Sequence, residues 1–278
     1  YIRDIIQKAS ELERLEPEET AALIQLSPDE DELWNSIFQT GKKIKEAVYG
    51  RRIVTFAPLY VSNYCVNNCQ YCGYREENKQ IKRHQLTSEE LVEEVKALVS
   101  EGHKRLIMVY GEHPSSDARY IAKSLELTYQ TKVGHGEIRR VNVNAAPMTI
   151  EELKMLKEVG IGTYQVFQET YHHETYQRVH PKGIKSNYRW RLYSLHRSLE
   201  AGADDVAIGA LFGLYDWKFE IMGLLYHAID LEQKFGFVSG GLNICYINKE
   251  VLTKYLPPKS SELDSLSHEF THILLPQY

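Results

Sequence analysis

Between Ile53 and Gly236 the chain alternates five times between a short apolar run and an amphipathic helical stretch. This order restricts the fold more than any other feature. Consecutive strand–helix units build a parallel sheet through right-handed crossovers. The runs are "IVTFAPLYV", "KRLIMVY", "EIRRVNVN", "IGTYQVFQ" and "DDVAIGALF". The helical stretches between them carry their own start and stop signals. "TSEELVEEVKALVSEG" opens on a Thr87–Glu90 capping box, puts Leu91, Val92, Val95, Leu98 and Val99 on one face, and stops at Gly102. "TIEELKMLKEVG" repeats the pattern from Thr149 and Glu152 to Gly160. A helix is expected through "ARYIAKSLELTYQ", a single long one through "NYRWRLYSLHRSLEAG", and another through "WKFEIMGLLYHAIDLEQKFG". An open doubly wound sheet and a closed barrel both satisfy this order. The barrel is favoured because polar residues gather just past the strands: Gly111 and Glu112, Asn142 and Asn144, Gln168 and Glu169, Tyr215 and Asp216. In a barrel these line the C-terminal mouth, where such folds do chemistry.

Residues 1–52 have a different texture. Apolar residues recur three and four apart in three stretches, punctuated by Pro17 and Ser27-Pro28 and closed by Gly50. They read as a helical cap packed on the strand–helix series. The net charge of −5 gives no electrostatic reason to expect a nucleic-acid partner. No apolar run approaches the roughly 18 residues of a membrane-spanning helix, and no signal peptide is read at the start. Four cysteines, three of them together, do not form a secreted disulfide framework, so a reducing cytoplasm is expected.

Those three cysteines lie in "NYCVNNCQYCGY", residues 63–74, just past the first strand. Cys65, Cys69 and Cys72 can converge in one compact loop. Structural zinc takes four ligands, and a fourth would have to come from His84, His113 or Cys245, none at a customary spacing. A four-iron cluster takes one thiolate per iron, so three cysteines leave one iron open to an outside ligand. Zinc, an iron–sulfur cluster and free thiols are the three readings of the spacing alone.

The CxxxCxxC pattern, with Tyr71 just before its last cysteine, resembles the radical S-adenosylmethionine superfamily. The resemblance implies a 4Fe-4S cluster on Cys65, Cys69 and Cys72 and S-adenosyl-L-methionine as cofactor, on an incomplete (βα) barrel of about five to six units. "VYGEHP" is similar to the segment that receives the methionine ammonium, which assigns Gly111 and Glu112 to the cofactor. "IGTYQVFQETYH" and "VAIGALFGLYD" fall where the family contacts ribose and adenine. With them Tyr71, Asn144, Glu169, Lys185 and Ile208 are expected at the cofactor. Carboxylates suit these tasks, pairing with an amine or accepting from ribose hydroxyls.

Within the superfamily, "APLYVSNYCVNNCQYCGYR", "GEIRRVNVN", "FQETYHHETYQRVHPKGIKSNY" and "IGALFGLYDWKFE" look like the tyrosine lyases, of the FeFe-hydrogenase maturase type. The thiamine-pathway lyase is a more distant relative. The resemblance implies that an electron entering the cluster splits the sulfonium and that the resulting radical takes a hydrogen from the amino group of L-tyrosine. The Cα–Cβ bond then breaks to p-cresol and dehydroglycine. An electron donor such as ferredoxin or flavodoxin, and other hydrogenase maturases, are the partners it implies.

The resemblance runs over roughly residues 1–236. Residues 53–236 are therefore expected as the barrel core, and 237–278 as a divergent tail. That tail does not align with the family's C-terminal region, where a second cluster serves carbon monoxide and cyanide formation, so this later step is expected to be missing. Cys245 is expected as a small buried hydrophobe. His172 and His173 are expected in loop contacts; His180 and Lys185 lie in a loop that could reach the methionine carboxylate or the substrate, with plain structural contacts as the other reading.

Overall fold

The computed structural model describes residues 1–53 and 55–236; the expected tail and Cys245 lie outside them. Pro17 and Gly50 punctuate the N-terminal helices where the sequence places them. Helix α1 is Ile2–Ser10, α2 is Pro17–Ile24, and α3 is Asp31–Tyr49, ended by Gly50 at φ 61°. Their apolar faces meet in one cluster built from Ile5, Ile6, Ala9, Leu15, Leu23, Ile37 and Ile44.

Strand β1 is Ala57–Ser62. It starts later than Ile53 because Ile53 and Phe56 stay exposed and the first sheet partner, Leu106, is met by Ala57. Helix α4 (Ser88–Ser100) comes next in the chain, with the Thr87–Glu90 box formed in both directions. Strand β2 is Arg105–Tyr110 and helix α5 is Ala118–Gln130. A two-stranded antiparallel hairpin, β3 (Lys132–Val133) and β4 (Gly136–Glu137), then intervenes. It shortens the run expected from Glu137, leaving β5 at Arg140–Asn144. Helix α6 (Ile150–Val159) has its Thr149–Glu152 box, and Gly160 closes it in the left-handed region at φ 89°.

Strand β6 is only Tyr164–Gln165. Ahead of it, the Asn142 side chain takes the Thr163 N–H; beyond it, Arg191 Nε takes the Phe167 carbonyl at 2.6 Å. Side chains thus occupy backbone groups that a longer strand would have paired. Helix α7 (His173–Val179) succeeds it. The single long helix expected after it is two, α8 (Tyr188–Leu192) and α9 (Ser194–Glu200), broken where Tyr193 leaves helical geometry. Beside the break the Arg197 guanidinium stacks 3.6 Å over the Trp190 ring and donates to the Trp190 and Met148 carbonyls. Strand β7 is Val206–Ala207, and α10 (Trp217–Phe235) starts on an Asp216 cap and ends at Gly236.

Strands β1, β2, β5, β6 and β7 form one parallel sheet in that order, an incomplete (βα) barrel. Its core joins Val61, Leu106, Met108, Val141, Val143 and Tyr164 to helix residues Val95, Ile121, Leu125, Leu156 and Leu195, all nearly inaccessible. The sheet belongs to a compact unit of Val54–Phe167 and His173–Ala207. A second compact unit holds Tyr1–Ile53, Gln168–His172 and the described part of Ile208–Tyr278. Within it α2 packs on α10, and Arg14 pairs with Glu232 at 2.7 Å. No helix among the described residues is long and apolar enough to cross a membrane.

Candidate functional site

The loop that leaves β1 is fastened along its length within the sheet-bearing unit. Val66 N–H donates to the Glu112 carbonyl, Asn68 N–H to Lys182, and Gln70 N–H to Val179. Arg83 reaches back across it, its guanidinium donating to the carbonyls of Asn63, Tyr74, Arg75 and Asn78. The Asn68 amide closes a two-way pair with Glu77. On this frame Cys69 is buried, while Cys65 and Cys72 are half-buried, and none of the three is in a disulfide. Burial pushes the Cys69 thiol up, and the Lys185 charge pulls it down.

Gly111 and Glu112 meet this loop directly. Gly111 N–H donates to the Ser62 carbonyl at 2.8 Å. A Cβ on Gly111 would stand 2.1 Å from the Tyr64 carbonyl oxygen, so only glycine lets the two backbones approach. The half-buried Glu112 carboxylate accepts from Asn67 Nδ2 at 2.5 Å. Lys185 is brought to the same place: its N–H donates to Asn67 Oδ1 at 2.9 Å, and its Nζ lies 5.6 Å over the Tyr71 ring.

His180 takes the structural one of its two readings. The Tyr176 carbonyl can only accept, so His180 Nδ1 donates to it at 2.9 Å. In the neutral ring Nε2 then accepts from the Tyr71 hydroxyl at 2.6 Å. The ring is 1% exposed and serves to hold Tyr71. No sequence signal separated that role from a contact with the cofactor or the substrate.

Asn144 ends β5, half-buried, in register between Val109 and Gln165. Glu169 and Ile208 belong to the other unit. There Glu169 bridges Ala210 in parallel, its carbonyl accepts from Leu211 N–H, and its φ of 71° is a strained value for a non-glycine residue. Ile208 is buried. In the same unit the buried Glu220, its carboxyl raised by burial, accepts from the Thr170 hydroxyl and from Tyr171 N–H. His172 lies flat on Tyr215, rings 3.7 Å apart; His173, in the sheet-bearing unit, meets Tyr188 edge-on.

The donor set fits an iron–sulfur cluster: three thiols stand on one fastened loop, one for each of three irons.

The Radical SAM superfamily profile matches residues 59–222. The crystal structure of HydG, a maturase of the [FeFe]-hydrogenase, is 45% identical with a TM-score of 0.88, covering 99% of this chain and 61% of that one. HydG from Carboxydothermus hydrogenoformans is 39% identical with a TM-score of 0.83, covering 98% and 63%. The 2-iminoacetate synthase of Escherichia coli (strain K12) is 31% identical over 242 residues, 83% of this chain and 59% of that protein. The chain thus spans about three-fifths of the length of these relatives.

Proposed function

The chain belongs to the Radical SAM superfamily, and from that premise we propose that it is a tyrosine lyase of the hydrogenase-maturase type, cleaving the Cα–Cβ bond of L-tyrosine to p-cresol and dehydroglycine. The observation that carries the reading is the 45% identity to HydG over nearly the whole chain. Enzymes of this superfamily use a 4Fe-4S cluster and S-adenosylmethionine. Cys65, Cys69 and Cys72 would hold the cluster, whose chemistry when bound is one-electron reduction of the sulfonium.

The chain's own residues bind and orient. Glu112 receives the methionine ammonium through a charge-assisted bond, and the close approach of Gly111 to Tyr64 sets its distance from the cysteine loop. Tyr71, pinned by His180, and Lys185 shape the wall beside the last cysteine. The family resemblance would give Asn144, in the sheet-bearing unit, a part in holding the cofactor; the same resemblance would assign Glu169 to the ribose and Ile208 to the adenine. Ferredoxin or flavodoxin supplies electrons, and the protein works in the cytoplasm beside other hydrogenase maturases.

A second reading, the thiamine-pathway lyase that hands dehydroglycine to a thiazole partner, is favoured by the 31% identity to 2-iminoacetate synthase. Both readings are tested by anaerobic incubation with S-adenosylmethionine, reductant and tyrosine. 5′-Deoxyadenosine with p-cresol supports lyase chemistry, and 5′-deoxyadenosine with no p-cresol overturns the tyrosine substrate. Cys245 is the only thiol outside the first loop, so this polypeptide alone is expected to yield no carbon monoxide above a no-enzyme control. Trapping with reduced haemoglobin reads that directly.

A further inference from the structure

Asn67 lies inside the cysteine loop, 1% exposed, and every part of its amide is engaged. Its orientation is fixed by its partners. The Lys185 N–H can only donate, so the atom facing it at 2.9 Å is Oδ1. An ionised Glu112 carboxylate can only accept, so the atom facing it at 2.5 Å is Nδ2. That nitrogen carries two hydrogens; the second points to Cys65 Sγ at 3.6 Å. Gly183 makes the arrangement possible, since a Cβ there would stand 2.2 Å from Asn67 Oδ1.

We propose that Asn67 is a positioning residue that couples the two halves of the site: one amide aims the Glu112 carboxylate at the methionine ammonium while donating an N–H···S bond to the Cys65 ligand. This rests on the reading of Cys65 as a cluster ligand and of Glu112 as the ammonium receiver. The physical content is twofold. A carboxylate held by a neutral donor keeps its full charge yet loses its freedom to turn away, which favours the one geometry an ammonium needs. A hydrogen bond to a cluster thiolate withdraws charge from sulfur and makes the reduced cluster easier to reach. A single side chain thereby sets both how tightly the cofactor is held and how readily the electron arrives.

The test uses the anaerobically reconstituted protein with Asn67→Ala, Asn67→Asp and, as a control, Glu112→Gln. Three quantities are read: iron per chain, the cluster midpoint potential by EPR-monitored redox titration without S-adenosylmethionine, and the dissociation constant for S-adenosylmethionine. Both Asn67 variants are expected to keep the wild-type iron content, to shift the potential to more negative values, and to weaken cofactor binding by about five- to tenfold. Glu112→Gln is expected to weaken binding with the potential unchanged. If Glu112→Gln binds as wild type does, the assignment of Glu112 falls; the potential of the Asn67 variants still decides the bond to sulfur. If Glu112→Gln weakens binding but the Asn67 variants keep both affinity and potential, the coupling is overturned. If neither Asn67 variant assembles a cluster, Asn67 is a folding residue of the loop and the proposal falls as well.

Discussion

Gly183 shows how much a missing side chain can decide. It sits at φ 97°, and a Cβ there would meet Asn67 Oδ1 at 2.2 Å and the Val66 carbonyl at 2.8 Å. Gly183→Ala is expected to lower the stability of the apo chain by about 1–3 kcal/mol from backbone strain alone, and to lower iron retention because the loop must yield. Urea denaturation and iron analysis on one preparation check both; a normal iron content at reduced stability would separate the glycine from the site. At this scale the sequence was only partly legible. Cys65, Cys69 and Cys72 announce themselves by spacing. Asn67 and His180 do not, because their roles come from partners 45, 118 and 109 residues away. Nothing local distinguishes a clamping asparagine from one on a solvated turn.

At the scale of elements, the ends were more legible than the middles. Thr87, Thr149 and Gly160 start or stop helices where read, since capping is a contest among neighbouring residues. Removing the Thr149 hydroxyl breaks half of a box whose N–H···O bond to Glu152 N is 3.3 Å, and Thr149→Ala is expected to cost about 0.5–2 kcal/mol. A shift of the urea midpoint with unchanged slope would show it, and an unmoved midpoint would place the stability of α6 in its buried face alone. The misread elements have a shared cause. The shortness of β6 arises where the Asn142 and Arg191 side chains, from other elements, take backbone groups, and the split between α8 and α9 lies where Arg197 of α9 takes the Trp190 and Met148 carbonyls. Periodicity carries no trace of such captures. The β3–β4 hairpin was missed because strands of two residues show no alternation.

At the scale of the whole molecule, five alternations of strand and helix were enough to give the parallel order of the sheet. The same sheet carries a pH-sensitive liability at Asp205. Burial lifts its carboxyl from the ordinary 3.8 to about 6, against the bonds from Thr163 and Arg140, and its Oδ1 has no partner among the described residues. The folded chain thus holds a proton that the unfolded chain releases. The fold bears no penalty from this group below about pH 4, accumulates it as pH rises, and bears it fully above about pH 6. Relative to wild type, Asp205→Asn is expected to gain about 1–3 kcal/mol between pH 4.5 and 7. Parallel denaturation curves at both pH values read this difference, and a difference independent of pH would mean that Asp205 does not titrate there. The four carbonyls held by Arg83 have another consequence, for survival in air. A loop held by its own guanidinium clasp is expected to keep its form when oxygen strips the inorganic atoms, leaving the mould behind. Chain exposed to air, treated with a thiol reductant and resupplied with iron and sulfide is expected to refill to its original content through repeated rounds. Arg83→Met is expected to lose capacity with every round. Equal decline in both chains would show that damage falls on the sulfurs and not on the mould.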